Sequence, residues 1–149
     1  MRIEEFLHPS AVISHLKATS RDEVLQELTD SLTALHPELG CFDIFRLLRA
    51  REELSSTAME GSLAIPHAKV PRLEHIYGAF GRSIHGIPFG APDGSVSHLF
   101  FVLLSPERNA GGHLMALAAI ARIFRDENRR KALLNAKNAS EIFRILLGN

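Results

Sequence analysis

The stretch Leu63-Ala64-Ile65-Pro66-His67 ends a short apolar run with a proline and a histidine. Proline fixes its own φ angle and favours an extended conformation in the residue before it, so we expect a strand over residues 63–65. His67 is then expected directly after the end of that strand, where connecting segments often carry functional groups. A neutral imidazole offers a nucleophilic nitrogen near neutral pH, which suits His67 to accept a phosphoryl group.

Four further residues are candidate companions of His67. Arg51 lies near the end of a predicted helix, where its guanidinium either meets phosphate oxygens or only complements the helix dipole. Ser56 and Thr57 can donate hydrogen bonds to the same oxygens, or can simply end the helix. His113 follows a Gly-Gly pair at a predicted helix start, where backbone amides favour an anion. Sequence spacing alone does not connect His113 with His67.

Length and composition indicate one globular domain over residues 1–149. Seventeen basic and seventeen acidic residues cancel, which argues against nucleic-acid binding and membrane-surface binding, since both need a basic excess. The single cysteine, Cys41, permits no internal disulfide and fits a reducing cytoplasm. No apolar run is long enough to span a membrane and no signal-peptide pattern is present, so we expect a cytoplasmic protein without membrane insertion.

The order of extended and helical patterns predicts an α/β fold with a helical C-terminal third. Residues 96–104 are apolar enough for a central strand covered on both faces, and other strands are predicted at residues 11–16, 63–65 and 76–84. A capping box at Ser20 and Glu23 predicts the start of a first helix. Further helices are predicted to begin at Cys41 or Asp43, at His113 and at Asp126, and Ser140 is predicted to cap a last one. Residues 7–10 and 86–94 are predicted loops. The helix from His113 is predicted to bury one apolar face, made of Leu114, Leu117, Ala121 and Phe124.

Other kinds of site are less well supported. A metal cluster of His75, His85 and His98 with His67 and His113 is conceivable, but no histidine pair has the spacing of a zincin and no cysteine pair is present. The sequence contains no phosphate-binding glycine loop and no G-x-S-x-G nucleophile turn. We therefore predict neither a metal nor a cofactor.

Taken together, the motifs resemble the enzyme IIA domains of the bacterial phosphoenolpyruvate:sugar phosphotransferase system, of the fructose–mannitol type (type 2). The resemblance is greatest to the nitrogen-regulatory enzyme IIA proteins and covers nearly the whole chain. It implies a single domain with a mixed, about five-stranded sheet flanked by helices. The matching motifs, in chain order, are Arg51-Glu52, Ser56-Thr57, Ala64-Ile65-Pro66-His67, Asp93-Gly94 and His113-Leu114.

The resemblance also implies a role for each candidate residue. His67 matches the histidine that is phosphorylated by the histidine phosphocarrier protein HPr or its nitrogen-branch counterpart. His113 matches a second histidine, which hydrogen-bonds the phosphoryl group or orients His67. Arg51, Ser56 and Thr57 match residues that line the phosphate pocket, and no metal is required if these groups supply the positive potential.

The sequence departs from the family pattern in the loop before His67. Residues 58–62 keep one glycine where many members are glycine-rich, and Ala68 stands where many have glycine. A free-standing IIA of this length indicates the regulatory branch, in which phosphorylation controls binding to a transporter or a kinase. Two alternatives remain, a sugar-specific IIA that passes phosphate to a cysteine of an enzyme IIB, and a non-catalytic regulatory module with a degenerate site.

Overall fold

Strand β6 (Val96–Pro106) forms the centre of a mixed sheet in the computed structural model, which describes residues 1–148. Every side chain of residues 99–104 is fully buried, which confirms the prediction of a central strand covered on both faces. On one edge β6 pairs antiparallel with β5 (Tyr77–Pro88). Strand β5 in turn pairs parallel with the edge strand β1 (Leu7–Ile13).

The other edge of β6 carries the short strands that lead to the site. Strands β3 (Leu63–Ala64) and β4 (His67–Val70) both pair parallel with β6, one after the other. Strand β2 (Ala58–Met59) pairs antiparallel with β3. The sheet within residues 1–148 thus has six strands. The predicted α/β domain with a mixed sheet flanked by helices is confirmed.

Five helices of the described residues pack on this sheet. They are α1 (Arg21–Leu35), α2 (Ile44–Leu54), α3 (Ala110–Arg125), α4 (Glu127–Asn135) and α5 (Ala139–Leu147). The first two contact each other, with α1 on β5 and α2 on β4, while α3 packs on β6 and α5 on β1. Within residues 1–148, none of the helices combines the length and apolarity needed to cross a membrane.

Side-chain caps explain where several helices begin. The Ser20 hydroxyl accepts a hydrogen bond from the Glu23 amide at the start of α1, and Asp126 caps α4 in the same way, as predicted. The prediction that Ser140 caps the last helix is wrong. Asn138 does so instead, because its side-chain oxygen lies 2.9 Å from the Glu141 amide nitrogen.

The predicted position of His67 is also wrong in one respect. His67 does not follow the end of a strand but opens β4, after a break at Ile65 and Pro66. Pro66 has no amide proton and interrupts the ladder, yet its carbonyl still accepts a hydrogen bond from the Leu103 amide at 3.0 Å. The chain therefore resumes its path along β6, and His67 is held in register opposite Leu103.

Residues 7–10 form strand rather than the predicted loop, despite Pro9. Strand β1 lies at the edge of the sheet, where a proline can turn its missing donor towards solvent, and its register shifts between Leu7 and Val12. Similarly, β5 runs to Pro88 instead of ending before residue 86. An irregularity between Arg82 and Ile87 lets the strand continue past Gly86.

The predicted buried face of α3 is wrong at its N-terminal end. Leu114 is 66% exposed and Leu117 only partly buried, whereas His113, Ala116 and Ile120 are buried. The first turns of α3 present Leu114 and Leu117 to a cleft, and Leu117 packs against the core as well. An apolar face that adjoins a cleft has the same sequence pattern as one that packs in the interior, so the pattern did not separate the two.

Candidate functional site

A cleft of about 540 Å³ lies where α2, β4 and α3 meet. Helix α2 contributes Arg51 beside two leucines, β4 contributes residues 67–69, and α3 contributes His113 beside two further leucines. The cleft therefore joins three of the predicted site residues, Arg51, His67 and His113, from three separate segments of the chain.

His67 is fixed by the backbone two residues before it. Its Nδ1 lies 2.7 Å from the carbonyl oxygen of Ile65, which is an acceptor only, so Nδ1 carries the proton and donates it. The other ring nitrogen, Nε2, is unprotonated in the neutral ring. Burial lowers the pKa of His67, the bond to Ile65 opposes that shift, and the charges of Arg51 and Lys69 add to it. At neutral pH, His67 is thus a neutral imidazole with Nε2 as its nucleophilic nitrogen.

His113 lies beside His67, with 5.4 Å between ring centroids and 52° between ring planes. The prediction that His113 begins a helix is wrong, because α3 begins three residues earlier, at Ala110. Asn109 sets this start, since its side chain accepts a hydrogen bond from the Gly112 amide at 2.9 Å. His113 is only 4% exposed, and its Nδ1 lies 2.7 Å from the Ser105 hydroxyl oxygen. Burial, followed by the charges of His67 and Lys69, lowers the pKa of His113 to about 4. His113 is therefore also neutral at neutral pH.

Arg51 supplies positive charge at the mouth of the cleft. Its Nη1 donates a hydrogen bond to the carbonyl of Ser55 at 2.7 Å, which holds the side chain without neutralising it. The neighbouring Arg49 instead forms ion pairs with Asp22 and Glu53. An arginine held by a neutral acceptor keeps its charge for an anion in the cleft.

Lys69 also lines the cleft, and the sequence reasoning missed it. It stands two residues after His67 on β4, and alternate residues of a strand lie on one face. Once residues 67–70 are recognised as strand, this spacing identifies Lys69 as a neighbour of His67. The cleft then holds two cations, from Arg51 and Lys69, around two neutral histidines.

Ser56 and Thr57 are not among the residues that line the cleft. The Ser56 hydroxyl donates to the carbonyl of Phe89 and accepts from the Ala58 amide. The hydroxyl and the amide of Thr57 both donate to the carboxylate of Glu52. These bonds fasten the segment between α2 and β2, and a contact of either hydroxyl with phosphate stays a prediction.

Glu52 is a buried carboxylate to which the sequence pattern assigns no role in the site. It is 4% exposed, and burial raises its pKa, while the two hydrogen bonds from Thr57 oppose that rise. Because Glu52 adjoins Arg51 on α2, its bond to Thr57 ties the end of the helix to the following segment. The motif Arg51-Glu52 thus combines a residue of the cleft with an anchor behind it.

The rim of the cleft is apolar and exposed. Leu54 is 84% exposed and Leu114 is 66% exposed, and they lie on opposite helices, α2 and α3. Exposed leucines around a polar centre are typical of a surface that meets another protein. Within residues 1–148, no group of three or more histidine, cysteine or acidic side chains is arranged to hold a metal ion.

The chain is similar to known proteins along nearly its whole length. Residues 5–149 match the family model described as "Phosphoenolpyruvate-dependent sugar phosphotransferase system, EIIA 2". The chain is 38% identical over 146 residues to the "Nitrogen regulatory protein" of Bradyrhizobium diazoefficiens, which covers 98% of this chain and 95% of that protein. The crystal structure of nitrogen regulatory protein IIA-Ntr from Neisseria meningitidis superposes with a TM-score of 0.86 at 32% identity, covering 97% of this chain and 98% of that one.

A fructose-specific phosphotransferase-system component is also similar. The chain is 29% identical over 146 residues to the "PTS system fructose-specific EIIABC component" of Bacillus subtilis. That match spans 98% of this chain but 23% of the Bacillus protein.

Proposed function

The chain belongs to the EIIA type 2 family of the phosphoenolpyruvate-dependent sugar phosphotransferase system, and we propose that it is a phosphohistidine carrier with a regulatory role. In this proposal, Nε2 of His67 accepts a phosphoryl group from an HPr-type phosphocarrier protein. The observation that carries the proposal is the hydrogen bond from Nδ1 of His67 to the Ile65 carbonyl, which leaves Nε2 as the nucleophilic nitrogen.

The transfer step needs little from the protein beyond position and charge. The phosphorus–nitrogen bond of the donor phosphohistidine breaks while a new bond forms to Nε2 of His67. Nδ1 keeps its proton, so positive charge develops on the His67 ring, and the Ile65 carbonyl stabilises it. The donor imidazole leaves with the electron pair of the broken bond.

The phosphoryl oxygens meet a positive environment. Arg51 and Lys69 line the cleft and carry the charge that favours an incoming anion. His113 is neutral and adjoins His67, so it acts as a hydrogen-bond partner of the phosphoryl group and not as a cation. The two histidines therefore have different roles, His67 as acceptor and His113 as support.

The apolar rim provides a docking surface for the donor. Leu54 and Leu114 flank His67 from two helices and leave the histidine accessible between them. A phosphocarrier must bring its own histidine into line with Nε2, which requires contact around the cleft on both sides. After transfer, the roughly two negative charges of a phosphoryl group change this surface for the next partner.

The regulatory branch is supported by the relatives. The nitrogen regulatory protein of Bradyrhizobium diazoefficiens matches along nearly its whole length. In this proposal, phosphorylation of His67 therefore controls binding to a regulated transporter or kinase. The similarity to the fructose-specific component favours one other candidate, a IIA that passes phosphate to the cysteine of an enzyme IIB. Fast phosphoryl transfer from this protein to a purified cognate IIB would support that second candidate.

The proposal is tested by reconstitution with phosphoenolpyruvate, enzyme I and an HPr-type carrier. Wild-type protein should take up one acid-labile phosphoryl group, and the His67→Ala variant should take up none. His85→Ala is the control, because His85 is an exposed histidine on β5 outside the cleft. Labelling of His67→Ala to the wild-type level contradicts the proposal. Failure of the wild type to label favours a purely regulatory binding module.

A further inference from the structure

Ser105 is a buried hydroxyl at the back of the cleft. It lies near the C-terminal end of β6, in register with Lys69 of β4, and is fully buried. Its hydroxyl oxygen lies 2.7 Å from Nδ1 of His113. Among the described residues 1–148 this is the hydroxyl's sole hydrogen-bond partner. Ser105 therefore touches the site through His113.

Either Ser105 or His113 donates this hydrogen bond, and the choice decides which ring nitrogen of His113 carries the proton. A neutral imidazole carries one ring proton, on Nδ1 or on Nε2. If Nδ1 carried it, Nδ1 would donate to Ser105, and the serine proton would be left buried without an acceptor. If Ser105 donates to Nδ1, both groups are satisfied and the ring proton is on Nε2. Because an unsatisfied buried donor is costly, the second arrangement is favoured.

We propose that Ser105 is a positioning residue, which donates its hydroxyl proton to Nδ1 of His113 and so holds the ring proton of His113 on Nε2. Nε2 is the nitrogen left to the cleft, so His113 presents an N–H to a phosphoryl group on His67. With an unprotonated Nε2, the ring would instead turn a lone pair towards the phosphoryl oxygens. The expected effect on phosphoryl transfer rests on the proposed function, whereas the tautomer of His113 does not depend on it.

The two histidines are thereby set in opposite tautomers by two different partners. The Ile65 carbonyl can only accept, so it keeps the proton of His67 on Nδ1 and leaves Nε2 free to attack. The Ser105 hydroxyl can donate, so it leaves Nδ1 of His113 unprotonated. His67 therefore has a lone pair on Nε2 with which to accept a phosphoryl group. His113 has an N–H with which to stabilise that group.

The tautomer is measured by ¹⁵N NMR of the imidazole nitrogens at neutral pH, without any phosphoryl donor. Wild-type His113 should show a protonated Nε2 and an unprotonated Nδ1. In Ser105→Ala both tautomers should be populated, and Ser105→Thr, which keeps a hydroxyl donor, should restore the wild-type pattern. Ser97→Ala is the matched control, because Ser97 lies on the same strand, is also fully buried, and its hydroxyl has no hydrogen-bond partner within residues 1–148.

The kinetic readout is phosphoryl transfer from an HPr-type carrier. Ser105→Ala should slow transfer roughly threefold to tenfold, the loss expected for one net hydrogen bond, while Ser97→Ala keeps the wild-type rate. A wild-type His113 with its proton on Nδ1 overturns the inference, as does Ser105→Ala with an unchanged tautomer. If the wild type accepts no phosphoryl group at all, the proposed function fails while the NMR measurement still decides the tautomer.

Discussion

The imidazole rings of His67 and His113 lie 5.4 Å apart between centroids, although β4 carries one and α3 the other. Strand β6 accounts for the proximity. His67 is held in register with Leu103 of that strand, and the chain leaves the strand after Pro106 to begin α3 at Ala110. In the proposed function, a phosphoryl group on Nε2 of His67 would therefore form beside a second, neutral imidazole.

Replacement of this second imidazole tests its contribution. His113→Ala should lower the rate of phosphoryl transfer on the order of a hundredfold, because one oriented hydrogen bond to the transferring group is lost. The rate is measured in both directions with an HPr-type carrier, and circular dichroism checks the fold. His75→Ala serves as the control, since His75 lies outside the cleft. Unchanged rates in both directions would show that His113 only fills space at the start of α3.

The charge of Arg51 should act on His67 directly. In Arg51→Gln the pKa of His67 should rise, since the cation of Arg51 contributes to its lowering, and acceptance of the phosphoryl group should slow. An NMR titration of the His67 ring measures the first effect and rapid-quench labelling the second. Arg49→Gln is the matched control on the same helix, because Arg49 is already paired with Asp22 and Glu53. Normal labelling kinetics in Arg51→Gln would count against a role in the cleft.

Stability should depend on pH through His113. Its native pKa of about 4 lies below the ordinary 6.5, so the unfolded chain binds more protons between these values. The free energy of unfolding should therefore fall as the pH is lowered from about 6.5 to about 4, by on the order of 3 kcal/mol from this residue. Urea unfolding of the wild type and of His113→Gln over this pH range measures the contribution of His113 to the free energy of unfolding. Parallel pH profiles of the two proteins would refute it, and His85→Gln provides the control.

The hydrogen bond between Thr57 and Glu52, behind the cleft, is tested by substitution of Thr57. Thr57→Val removes a hydroxyl donor from the buried carboxylate of Glu52 and should lower the free energy of unfolding by about 1–3 kcal/mol. Thr29→Val is a matched control, because the buried Thr29 hydroxyl of α1 has no hydrogen-bond partner in the described part of the chain, and its loss should be nearly neutral. Equal effects of the two substitutions in urea unfolding would show that the bond to Glu52 contributes nothing.

Local signals in the sequence predicted the elements that carry the site. Proline before His67, the basic end of α2 and the apolar run of β6 each act over a few neighbouring residues, and each identified its element. Lys69 was within reach of the same reasoning, because strand alternation places it on the face of His67. The prediction that His67 follows the end of a strand conceals this relation, because His67 begins β4.

Long-range contacts were beyond prediction from local patterns. Arg82 is buried in β5, where its guanidinium donates to the carbonyls of Leu133 and Ala136 at the end of α4. The contact between His113 and Ser105 likewise depends on how α3 returns to β6. Leu114 was assigned to the core because its spacing is that of a packed helix face, and only the position of the cleft shows why it is exposed.

The most direct test of the account is the chemical identity of the phosphorylated atom. The protein is phosphorylated with phosphoenolpyruvate, enzyme I and an HPr-type carrier, and the ring nitrogens of His67 are observed by ¹⁵N NMR with phosphorus coupling. We expect a phosphoryl group on Nε2 of His67, with Nδ1 still protonated and hydrogen-bonded to the Ile65 carbonyl. A phosphoryl group on Nδ1 of His67, or on any other residue, would contradict it.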